Sequence, residues 1–152
     1  MRKNFRFLAS VIAALLTIIG LTATSAQAVS PHYVSGPSAT VSGNSLIVSF
    51  KAAGLGSLGV TTADFTLTGT VTATAQCFTK SGNPVNGVPK TDTTDVNATG
   101  SFPIRNGQTT GSFTISPLSK LTCTGNQVVR IISVSYDLTL SNIYLGDTHL
   151  TS

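Results

Sequence analysis

The chain of 152 residues contains no Trp, two His and two Cys, and charged side chains make up only 9% of it. All five acids are Asp, since Glu is absent. A general acid and base pair would therefore have to come from Asp64, Asp92, Asp95, Asp137 and Asp147, which leaves carboxylate catalysis little to draw on. His32 and His149 stand within a few residues of the two ends of the predicted mature chain. The rigid second partner that a catalytic or metal-bound His needs is seldom available there. Pro31 also lacks the backbone N–H that an amino-terminal copper site would ionise. Without Trp, sugar-stacking platforms are reduced to Tyr33 and Tyr144, because Tyr136 falls on an apolar face. Neither catalysis, nor a cofactor, nor a metal is expected.

Charge is concentrated where it says most about targeting. Arg2, Lys3 and Arg6 precede an apolar run from Phe7 to Leu21, and the polar, small-residue stretch TATSAQA follows. That order is the pattern of a cleavable secretory signal. The run falls short of the ~20 residues a membrane-spanning helix requires. Ala26-Gln27-Ala28 fits the small-x-small cleavage pattern, which predicts a signal peptide over 1–28 and cleavage between Ala28 and Val29. The first cysteine is Cys77, far from any lipid-anchor position, and DTHLTS at the other end carries no apolar tail. A released, extracellular product with no membrane attachment is the expectation. Residues 29–152 retain six basic side chains against the five Asp, scattered singly. That balance offers no footprint for nucleic acid or an anionic membrane.

Residues 29–152 suffice for one domain with one core. Thr, Ser, Gly and Val dominate them, a composition that favours strands and turns. Between Asp64 and Cys77 the alternation is nearly perfect: Phe65, Leu67, Val71, Ala73, Ala75 and Cys77 share one face, with Gly69 as the gap. Thr66, Thr68, Thr70, Thr72 and Thr74 share the other face, so the segment reads as a half-buried strand. The same period places Leu46, Val48 and Phe50 together, then Val96, Ala98, Gly100 and Phe102, then Phe113 with Ile115, and finally Ile132, Val134, Tyr136, Leu138 and Leu140. Gly43-Asn44, Ser81 to Pro84, Asn86-Gly87, Asn106-Gly107 and Gly125-Asn126 separate these runs, with Asn106-Gly107 the strongest hairpin signal. The fold class is all-β: a two-sheet antiparallel sandwich, immunoglobulin-like in first choice, with a jelly roll or small open barrel as the alternative. The Phe65 and Ile132 strands are expected to be central, and the stretch at Phe102-Pro103 an edge or strand end.

Cys77 and Cys123 make an even pair in an exported domain, so a disulfide between them is expected. In the chain-entropy account, closing that loop stabilises the fold by ~4 kcal/mol.

Other motifs have plain structural readings. Gly54 to Gly59 matches G-x-G-x-x-G but runs on into a strand instead of opening a helix, so it reads as a flexible inter-strand loop. Asp92 and Asp95, with Asn97 nearby, could lend oxygens to a weak calcium site, yet their spacing fits no calcium loop. They read as solvated loop acids. The Thr66 to Thr74 row would order water only if neighbouring strands repeated it; TDTT alone comes close and is expected to lose the period. Asn97-Ala98-Thr99 is a glycosylation sequon, meaningful in a eukaryotic producer.

Taken together, HYVSGPSATVSGNSLIVSFKAAGLG, VTATAQC, the Gly82-Asn83-Pro84 loop, GSFPIRNGQTTGSF and a second Cys before the last long strand resemble small secreted proteins of unknown function from soil actinobacteria and related bacteria. The resemblance implies export, a β-rich fold and a disulfide, and it assigns no catalytic or binding residue. The expected function is that of a secreted, non-catalytic domain binding a cell-wall or extracellular partner. The alternative is a structural subunit that self-associates through exposed strand edges, which low charge leaves weakly protected.

Overall fold

A computed structural model describes residues 29–152; residues 1–28, and with them the expected signal peptide and Ala28, lie outside the described residues. Seven strands follow one another: β1 (His32–Ser42), β2 (Ser45–Ala53), β3 (Thr62–Phe78), β4 (Lys90–Pro103), β5 (Thr109–Ile115), β6 (Val128–Asn142) and β7 (Gly146–Thr151). They form two antiparallel sheets, ordered β1-β2-β5 and β4-β3-β6-β7. The sheets pack face to face and do not close into a barrel. In the constant-type immunoglobulin arrangement the fourth strand pairs beside the fifth. Here β4 instead pairs with β3, in the sheet opposite β5.

Alternation builds the core as expected in β3, whose Phe65, Leu67, Val71, Ala73 and Ala75 are all buried. Gly69 fills the gap for a steric reason. Its φ is 132°, and a Cβ there would sit 2.1 Å from the Asp137 carbonyl oxygen on β6. Four phenylalanines knit the two sheets together, with ring centroids 4.2 Å apart for Phe50 and Phe65, 5.2 Å for Phe50 and Phe102, and 5.6 Å for Phe102 and Phe113. The edge-to-face pairs add to what area burial supplies. Both long central strands are where the alternation put them, and β4 is an edge strand ending at Pro103.

Two expectations need correction. The inward face of β6 was expected to run through Ile132, but the pairing with β3 shifts register between Thr74 and Ala75. That bulge turns Ile131 toward the core and leaves Ile132 47% exposed. Asn106-Gly107 does form a tight turn, with φ of 51° and 72° and reciprocal backbone bonds between Arg105 and Gln108 of 2.8 and 3.0 Å. It does not make a β-hairpin. Its flanking strands, β4 and β5, belong to different sheets, so the turn carries the chain across the sandwich.

The strand registers define two ends. Cys77 and Cys123 are bonded at one of them, with their Cα atoms 5.8 Å apart. There the Asn44 side chain donates to the Ser119 carbonyl at 2.9 Å and accepts from the Ser119 N–H at 2.8 Å, tying the β1–β2 hairpin to the segment after β5. The opposite end gathers residues 54–61, 104–108 and 143–145 with the start of the described chain.

Candidate functional site

The end opposite the disulfide is braced backbone to backbone. Leu55 is fully buried, and its N–H donates to the Gly107 carbonyl at 3.0 Å. Ile104 N–H donates to the Thr61 carbonyl at 2.8 Å. Gly56 and Gly107 approach so closely that a Cβ on Gly56 would lie 3.3 Å from the Gly107 Cα. The Gly54 to Gly59 loop, expected to be flexible, is thus anchored by a buried leucine and cross-linked to the β4–β5 turn. Only a three-residue 3-10 turn, Gly56–Leu58, forms within it. No α-helix N-terminus is present there to meet a pyrophosphate.

The β6–β7 turn is held by Asn142, a buried side chain. Its Nδ2 donates to the Asp64 carbonyl at 2.8 Å, while its Oδ1 accepts the N–H groups of Tyr144 at 2.9 Å and Leu145 at 3.1 Å. One amide therefore closes the turn and fastens it to β3. The result projects Ile143 into solvent, 85% exposed, and sets half-buried Tyr144 beside it. Both border a cleft of ≈ 410 Å³ whose other walls are Gly59, Val60, Thr61, Thr62 and Asp64. The cleft combines an apolar rim, a phenol, two hydroxyls and a carboxylate. Surface depressions that pair apolar side chains with polar ones can take a ligand. At the same end, Lys51 and Arg105 flank a second depression with Gln108, Thr109 and Thr110. Val29, 61% exposed, borders a third with Ala53, Gly54 and Asn106.

Other residues singled out in the sequence lie elsewhere. Tyr33 is no stacking platform: its hydroxyl is buried without a partner of hydrogen-bonding geometry. Burial raises its pKa, the Thr148 hydroxyl draws it down in part, and the Asp147 carboxylate pushes it further up. Tyr144, the other candidate platform, does border a cleft. His32 Nδ1 donates to the Ser30 carbonyl at 2.8 Å, and His149 Nδ1 meets Thr139 Oγ1 at 3.0 Å on another strand. Among the described residues, no three His, Cys, Asp or Glu side chains are gathered as metal ligands.

Asp92 and Asp95 are not loop acids. Both lie on β4, where they point to opposite faces. Asp92 Oδ2 accepts from Ser119 Oγ at 2.8 Å and from the Lys120 N–H at 3.0 Å, with Lys90 Nζ 3.5 Å from its other oxygen. The Lys120 N–H, the Ser119 hydroxyl and, more weakly, Lys90 hold its pKa below the usual carboxylate value. Its role is to tie the segment after β5 to β4.

The hydroxyl row is wider than the sequence implied. Across β3, β4 and β6 the pairing aligns Thr66 with Thr99 and Ser141, Thr68 with Asn97 and Thr139, Thr72 with Thr93 and Ser135, and Thr74 with Thr91 and Ser133. Thr70 alone meets carboxylates on both sides, Asp95 and Asp137. TDTT does keep the period, through Thr91 and Thr93. Their hydroxyls lie 2.9 Å from Thr74 Oγ1 and 3.1 Å from Thr72 Oγ1.

Sequence reasoning missed Asn142 and the cleft that Tyr144 and Asp64 share. Asn142 ahead of Gly146 signalled a turn at most, and its partner is 78 positions away. No family model and no curated protein matches this chain.

Proposed function

We propose that this chain is an exported, non-catalytic β-sandwich whose braced loop end binds an extracellular or cell-wall partner. The carrying observation is the cleft that Ile143 and Tyr144 line together with Asp64, Thr61 and Thr62, its β6–β7 turn fastened to β3 by Asn142. A site ordered before its ligand arrives avoids part of the entropy cost of binding. The signal-like first 28 residues and the Cys77–Cys123 bridge support export. No helix among the described residues is long and apolar enough to cross a membrane.

Co-sedimentation of the oxidised, exported protein with insoluble bacterial cell walls tests this reading. Ile143→Ser with Tyr144→Ala should abolish retention, while Thr68→Lys on the outer sheet face should leave it unchanged. Equal retention of both variants would refute the loop end as the site.

A further inference from the structure

The sandwich has four strand edges, and they are not equally protected. Edges expose unpaired N–H and C=O groups, which proteins blunt with Pro, Lys, bulges or shortness. The β1 edge carries Pro37 and two register irregularities between Tyr33 and Ser38. β5 and β7 are short, at 7 and 6 residues. β4 has 14 residues and pairs with β3 without any register shift. Its Lys90 and Pro103 stand at the extreme ends, and the Ser119-Lys120 segment bonds to β4 at Asp92. From Thr93 to Ser101 there is no Lys, Arg, Pro or bulge, and Asp95 is the single charge.

We infer that the β4 edge is a dimerisation surface whose occupant is β4 of a second copy of this chain, paired antiparallel about a two-fold axis at Val96. Side-chain matching favours a second copy, and the position of Asp95 favours one register. Centred on Val96, the pairing sets Asp95 against Asn97 of the second copy, Thr93 against Thr99, and Thr91 against Ser101. A carboxylate thereby faces an amide donor, and hydroxyl faces hydroxyl. Centring on Asp95 would oppose two carboxylates directly, which is destabilising in a sheet, whereas centring on Val96 moves them apart to diagonal positions. On the inner face, Val96 meets Val96, and Thr94 meets Ala98. The cross-strand hydroxyl contacts already present at Thr72–Thr93 and Thr74–Thr91 would continue into the second copy. A two-fold pairing uses up the β4 edge of both copies, so this contact closes a dimer and does not propagate into a fibre. The two loop ends then point in opposite directions.

Light scattering behind size exclusion tests the inference on the oxidised protein over roughly a hundredfold concentration range. The wild type should pass from monomer to twice the mass and stop there. Thr93→Lys with Thr99→Lys opposes two pairs of like charges in this register and should weaken the dimer about tenfold or more. Thr93→Lys with Thr99→Glu opposes unlike charges at the same positions and should restore it. Both variants remove the same two threonines, so a general folding defect would affect them alike. A monomer at every concentration, growth beyond the dimer, or equal behaviour of the two variants would each overturn the proposal. Cell-wall retention by a strictly monomeric protein would separate failure of the dimer from failure of the binding site.

Discussion

The side-chain amide of Asn142 donates to the main-chain carbonyl of Asp64 across 2.8 Å, joining the β6–β7 turn to the first turn-proximal residues of β3. Because Oδ1 accepts two further N–H groups from the turn, one buried side chain satisfies three backbone groups. Asn142→Ala leaves those groups without partners and should cost about 1 to 3 kcal/mol by equilibrium denaturation. Asn142→Asp keeps the acceptor, loses the donor to Asp64 and should lie between. Hydrogen exchange at Tyr144 and Leu145 should accelerate in the Ala variant, and unchanged exchange would show that the turn holds itself.

How much of this was legible depends on the range of the interaction. β3 was readable because a strand with one wholly buried face must alternate, and Phe65 to Ala75 do so without competition from helix periodicity. β6 was readable only up to its bulge. The slip at Ile132 leaves no local mark, since Ile131 and Ile132 are chemically identical and only the pairing with Thr74 and Ala75 decides which turns inward. Asn106-Gly107 announced a turn through its backbone preferences, but whether the next strand returns to the same sheet is a tertiary matter. The disulfide followed from cysteine count and context. The cleft did not, because Asp64, Thr61 and Tyr144 meet only after the sheet has formed. The hydroxyl face was underestimated because Asp95 and Asn97 interrupt the identity of the β4 row without disturbing its parity.

Asp92 should make stability sensitive to acid in a definite direction. Its carboxylate accepts from Lys120 N–H and Ser119 Oγ, so its pKa is lowered in the folded state from 3.8. A depressed carboxylate contributes stability that is fully present above the unfolded pKa and lost as pH falls through the folded one. Thermal midpoints of the wild type and Asp92→Asn should therefore differ by a constant amount above about pH 5 and converge in stronger acid. A difference independent of pH would mean that the hydrogen bonds, and not the charge, hold the segment after β5.

Leu55 tests whether the glycine-rich loop is structural. It is fully buried between two glycines, and its N–H is bonded to Gly107 on the β4–β5 turn. Truncation in Leu55→Ala removes the buried side chain while leaving that backbone bond free to form. The loss of buried surface and the cavity left behind should cost about 2 to 5 kcal/mol in urea denaturation. Leu58→Ala, which removes a partly buried neighbour in the same loop, should cost less. Because the Gly56–Gly107 contact depends on the anchored loop, Leu55→Ala should also raise hydrogen exchange at Ile104 and Arg105 while leaving the Asn44–Ser119 contacts at the far end protected. Equal stability losses for the two leucines, with no change at Ile104, would mean that the loop is a passive cover and that the β4–β5 turn is ordered without it.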